Sequence, residues 1–171
     1  MPDLLIFVPC QRAIVGTDGS VSAIVALDVL RTAVPPDAPQ IPKGSMIPLS
    51  WNILSLWYGT QEDIGITYEQ KYELIAHGND ILNDPSTAFG SQQSVYEFTI
   101  ASVGERRPII HIIFSFPVWI EGPYTLKLLL RKKGQEEEWR EIATYPLVVE
   151  HSQKLPVPSP PPIREFIQKS S

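Results

Sequence analysis

Reactive side chains are scarce in this chain of 171 residues: it holds one cysteine, three histidines and two methionines. A lone cysteine, Cys10, excludes an internal disulfide. The histidines, His77, His111 and His151, are scattered, whereas zinc needs three or four ligands at close spacing. There is no G-x-S-x-G elbow, no S-x-x-K, no H-E-x-x-H and no phosphate-binding glycine loop. No N-x-S/T acceptor occurs, and no apolar run approaches the length of a membrane span. The first ten residues, M-P-D-L-L-I-F-V-P-C, carry an acid where a signal peptide is basic, and bulky residues precede Cys10, unlike a lipidated cysteine. Basic charge is short as well: 14 Lys and Arg stand against 19 Asp and Glu, a net charge of -5. The only basic cluster, Arg131-Lys132-Lys133, is answered at once by Glu136-Glu137-Glu138, which argues against a phosphate-backbone surface. These absences lead us to expect a cytoplasmic protein with no cofactor, no bound metal, no nucleic acid and no membrane contact.

What the chain does have is extended-strand patterning. Along Glu121 to Val149, Tyr124, Leu126, Leu128 and Leu130 share one side of a strand, and Trp139, Ala143, Tyr145, Leu147 and Val149 share one side of the next. Gly65 to Ala76 alternates most cleanly. Ile66, Tyr68, Tyr72 and Leu74 point one way, and Thr67, Glu69, Lys71 and Glu73 the other, as in a half-exposed antiparallel strand. Leu4 to Val8, continuing to Val15, reads as the first strand, followed by a hairpin turn at Gly16-Thr17-Asp18-Gly19-Ser20. Val21 to Val29 reads as a central return strand, with a short helix over Val25 to Ala33 as the alternative. Pro35, Pro36, Pro39, Pro42 and Pro48 punctuate a loop that crosses between sheets or runs along an edge. Ile47 to Trp57 and Ile109 to Phe116 read as strands buried on both sides, and Ser94 to Ile100 as a strand with Tyr96, Phe98 and Ile100 inward.

The expected fold is therefore all-β: an antiparallel two-sheet β-sandwich of about eight strands, immunoglobulin-like or C2-like, over residues 1–151. A unit of ~150 residues buries enough surface to need neither disulfide nor metal. Residues 152–171 form a proline-rich tail, expected to be extended or disordered. In that tail Pro158, Pro160, Pro161 and Phe166 are the candidate contacts for a protein partner. Pro158 and Pro161 make a P-x-x-P, but Arg164 lies one residue past the usual basic position.

Two resemblances follow from these residues. Tyr124, just after Gly122-Pro123 and two residues before Leu126, resembles the tyrosine corner of immunoglobulin-like sandwiches, which implies a hydroxyl bonded to backbone. The run Leu4 to Leu30, Y-E-Q-K-Y-E-L-I-A-H-G-N-D (Tyr68 to Asp80) and E-G-P-Y-T-L-K-L-L-L (Glu121 to Leu130) is similar to a bacterial family of small β-sandwich proteins catalogued as a domain of unknown function. That resemblance implies a fold and no activity.

Each candidate site has a plainer structural reading beside it. Asn79, Asp80, Asn83 and Asp84 offer hard oxygens for calcium, yet such residues also cap turns. Trp51, Trp57, Tyr58 and Trp119 suit a sugar platform, yet burial explains them more simply. Cys10 and His111 are the one conceivable nucleophile–base pair. Glu69 and Glu73 are about 13 Å apart along a strand, beyond the separations that glycosidases use. The expected function is a non-enzymatic binding or assembly module, homo-oligomer formation included, that makes contacts through sheet edges and loop ends. The alternatives are a carbohydrate- or calcium-binding sandwich and a hydrolase of unrecognised type.

Overall fold

Alternating side chains and turn residues divide the chain into nine strands in the computed structural model, which describes residues 1–34, 41–76, 95–134 and 139–152. They are β1 (Asp3–Val15), β2 (Val21–Ala26), β3 (Val29–Ala33), β4 (Met46–Tyr58), β5 (Thr67–Ala76), β6 (Tyr96–Thr99), β7 (Arg106–Pro117), β8 (Gly122–Lys132) and β9 (Arg140–Ser152). One turn of 3-10 helix, Gln61–Asp63, joins β4 to β5. The strands form a four-stranded sheet, ordered β2-β1-β4-β7, and a five-stranded sheet, ordered β3-β9-β8-β5-β6. The all-β, two-sheet expectation holds. The purely antiparallel one does not, because β3 runs parallel to β9, with Val29 opposite Val148 and Ala33 opposite Ser152. His77, the acidic turn at 79–84, Glu136 to Glu138 and the tail residues Pro158, Pro160, Pro161 and Phe166 lie outside the described residues.

The β1–β2 turn is built as its residues require. Gly19 takes φ +77°, and the Asp18 carboxylate accepts the Ser20 amide at 2.9 Å. The return strand differs from expectation. It is neither one central strand nor a helix: β2 is an edge strand, exposed along nearly its whole length, and the chain leaves the sheet at Leu27-Asp28. Val25 sits at φ +54°, which breaks the regular ladder. The Leu27 amide donates to Pro9 O, and Asp28 O accepts from the Val148 amide of the other sheet. The Asp28 side chain accepts the Val29 amide at 2.8 Å. One expected strand thus becomes β2 and β3 on different sheets. β3 and β4 lie in different sheets, but of the prolines expected in the loop between them Pro35, Pro36 and Pro39 lie outside the described residues and Pro48 belongs to β4.

Between the layers lies the core, in which Trp51, Ile53 and Trp57 of β4 face Tyr68, Tyr72 and Leu74 of β5 and Leu126, Leu128 and Leu130 of β8. β5 alternates between buried and half-buried along its entire length, as its sequence pattern demands. β7 departs from expectation because it is an edge strand: His111 and Ile113 point inward, while Ile112 is 54% and Phe114 65% exposed. The β8–β9 ladder slips by one residue between Leu128 and Leu129. A one-residue slip reverses every side chain beyond it. Trp139 therefore leaves the side occupied by Ala143, Tyr145 and Leu147 and lies on the outer surface, with Lys71 Nζ 4.9 Å and Arg131 Cζ 4.4 Å from its ring centroid.

Candidate functional site

The buried polar groups come first, because a catalytic or ligand site would have to use them. Gln70 Oε1 accepts from Trp57 Nε1 at 2.7 Å and from Ser55 Oγ at 3.1 Å, and Gln70 Nε2 donates to the Tyr72 hydroxyl at 2.6 Å. This cluster spans both sheets, two members on β4 and two on β5, with Gln70 and Ser55 fully buried. These bonds run from one member of the cluster to another, so the buried polar groups are tied to each other and not to a site. Burial raises the Tyr72 phenol far above its ordinary value, so that hydroxyl stays protonated. Gln70 received no role from the sequence. The period-two parity that placed Tyr68 and Tyr72 inward also places Gln70 between them on the same side, and that was the available signal.

His111 lies next to this cluster. Its ring is 5.6 Å from Tyr72 and 4.8 Å from Tyr96, edge to face with the latter, and its buried Nδ1 has no hydrogen-bond partner among the described residues. Burial lowers its pKa from the ordinary histidine value. Cys10 cannot serve as its nucleophile. In the β1–β4–β7 ladders Cys10 is opposite Asn52 and His111 is opposite Ile53, so the two side chains leave opposite faces of one sheet. Cys10 is fully buried, and burial raises its thiol pKa. Trp51 and Trp57 are fully buried too, their indole nitrogens bonded to Ser115 O and Gln70, and offer no stacking surface to a sugar. His151 Nε2 lies 2.7 Å from Val118 O. Among the described residues no three His, Cys, Asp or Glu side chains gather as a metal site. Nor is any helix among them long and apolar enough to cross a membrane.

Tyr124 is almost wholly buried, and its hydroxyl donates to Ile120 O, four residues upstream, at 2.9 Å. Burial pushes its phenol up to about 12.

Contrast between the two outer surfaces is the most informative feature. Outside the five-stranded sheet, charges interleave. Lys71 pairs with Glu73 at 2.8 Å, Arg131 with Glu69 at 2.6 Å, Lys127 with Glu141 at 2.8 Å and Lys133 with Glu97 at 2.5 Å. Two members of the basic cluster are thus held by carboxylates of neighbouring strands, and Glu69 and Glu73 are each bound to a cation. Such a surface suits water. The four-stranded sheet is different. Its strands carry exposed large apolar residues: Leu5, Ile6, Ile14 and Val15 on β1, Ile24 and Val25 on β2, Ile112 and Phe114 on β7. The strands of the five-stranded sheet carry none among the described residues. Register places Ile6, Cys10, Ile24, Leu54 and Ile112 on one outer face, with Leu54 and Cys10 buried at its centre. Comparison of the chain with family models and with curated proteins finds no match.

Proposed function

We propose that this chain is a non-enzymatic assembly module, and that the outer face of its four-stranded sheet receives a protein partner presenting a complementary apolar face. The observation that carries this reading is the unequal distribution of exposed apolar side chains between the two sheets. An exposed antiparallel face normally alternates to polar residues, whereas here exposed apolar side chains border the buried Leu54 and Cys10, and clustered exposed apolar residues mark a contact surface. Phe114, 65% exposed, is the largest such side chain and an anchor of the kind that dominates interfaces. Charge supports a protein partner over a polyanion, since the chain is acidic overall. The bond from Tyr124 to Ile120 O supports the tyrosine-corner reading, in which Tyr124 holds the sandwich and touches no partner.

The test compares the wild-type chain with Phe114→Glu as bait in one host extract. Because Phe114 packs little of its surface, the substitution should leave stability within about 0.5 kcal/mol. A protein retained by the wild type and lost by the variant is the expected result. Equal capture by both would remove the face from the contact and overturn the proposal.

A further inference from the structure

Among the described residues the two sheets end in four edges, β2 and β7 on one, β3 and β6 on the other. An edge strand offers unpaired backbone amides and carbonyls to any passing strand, and proteins ordinarily blunt it by shortness, charge or proline. Three of the four edges here are blunted. β6 has four residues. β3 has five and carries Arg31, ion-paired to Glu150 at 2.8 Å. β7 opens on Arg106-Arg107-Pro108 and ends at Pro117. β2 reads Val-Ser-Ala-Ile-Val-Ala, with no charge and no proline, and all its residues but Val21 are exposed.

We infer that β2 is a pairing edge for a second copy of this chain, joining two four-stranded sheets antiparallel, β2 to β2, into one continuous sheet. The free backbone edge requires an extended segment as its occupant. The exposed Ala23, Ile24, Val25 and Ala26 favour a segment that is largely apolar as well, and the absence of charge favours an uncharged one. β2 of another copy meets all three demands. Two-fold antiparallel pairing brings the same strand against itself, the commonest symmetry for a homo-oligomer. With no charged side chain on β2, no like charges come to lie directly opposite. Elsewhere two copies of a chain with net charge -5 repel. Ile14 and Val15 of β1 and Ile24 and Val25 of β2, all exposed, flank the seam and widen the contact beyond the backbone. Val25, a β-branched residue at φ +54°, ends the pairing segment with a strained residue of the sort found at functional elements.

Sedimentation velocity over a concentration series of the full chain tests this. The wild type should show a monomer–dimer equilibrium. Ile24→Lys should weaken it on the order of tenfold or more, since it sets cations against each other across the seam. Phe114→Glu should leave it unchanged, which separates this inference from the partner-binding face. A wild type that stays monomeric throughout, or an Ile24→Lys variant that dimerises like the wild type, overturns it. Should Ile24→Lys fail to fold, amide exchange in the wild type decides. Protection of Val21–Ala26 that rises with concentration supports the seam, and exchange independent of concentration sinks it.

Discussion

At the scale of single residues, a few side chains do work that their type alone does not reveal. Asp63, wholly buried, is the clearest. Burial alone would raise its pKa, but the Thr60 hydroxyl, the Tyr68 hydroxyl, the Thr60 amide and the Met1 amino group at 3.2 Å more than offset that and hold it at about 2. Tyr124 ties β8 back to Ile120 through one hydrogen bond. Tyr124→Phe should therefore cost about 1 kcal/mol, the net value of such a bond, with the Ile120 carbonyl left to find water. Urea unfolding of the two proteins measures it, and an unchanged midpoint would show that the bond contributes nothing. The glycine-proline step ahead of Tyr124 was readable from sequence. The bond's acceptor was not, because it depends on how the chain enters β8.

At the scale of elements, parity decided most outcomes. β5 keeps strict alternation because no bulge interrupts its ladders with β6 and β8. On β9 a single slip turns Trp139 from the inner side to the outer. Nothing in Trp-Arg-Glu-Ile-Ala announces that slip, since a bulge is a property of two paired strands. The Gln70 cluster is likewise a relation between β4 and β5. Gln70→Leu keeps the volume but orphans the Trp57 indole N–H and leaves the Ser55 hydroxyl only the Tyr72 hydroxyl at 3.4 Å, so it should destabilise by about 2 to 3 kcal/mol. Thermal unfolding checks this. A loss under about 0.5 kcal/mol would mean that the cluster only tolerates burial.

At the scale of the whole molecule, the two-sheet fold has one ion-paired outer surface and one with exposed apolar margins, and its interior holds an imidazole with a nitrogen unpartnered among the described residues. That imidazole makes global stability depend on pH. Burial lowers the His111 pKa below its ordinary value of 6.5. Well above pH 6.5 neither the folded nor the unfolded chain protonates it, and it adds no pH dependence. As pH falls below 6.5 the unfolded chain binds a proton that the folded chain refuses, so stability should fall by up to about 1.4 kcal/mol per pH unit until the folded pKa is reached. His111→Leu should flatten that part of the profile, read by urea unfolding between about pH 7.5 and 5. Asp63 acts lower down: its contribution is whole above 3.8 and is lost as pH falls toward about 2. An equal slope in wild type and His111→Leu would assign the effect to other groups.

Period-two burial, turn chemistry and the shortage of reactive side chains are local properties, and by themselves they determined that this chain is all-β, with the indoles of Trp51 and Trp57 inside. Tertiary structure alone decided which strands became edges, that β3 pairs parallel to β9, that Val21 to Ala33 divides between two sheets, and which outer face carries the apolar surface. The reason is physical. Side-chain alternation says that a strand has two faces, but which face meets the core and which edge lacks a neighbour depends on long-range pairing, whose free energy is shared by residues far apart in the chain.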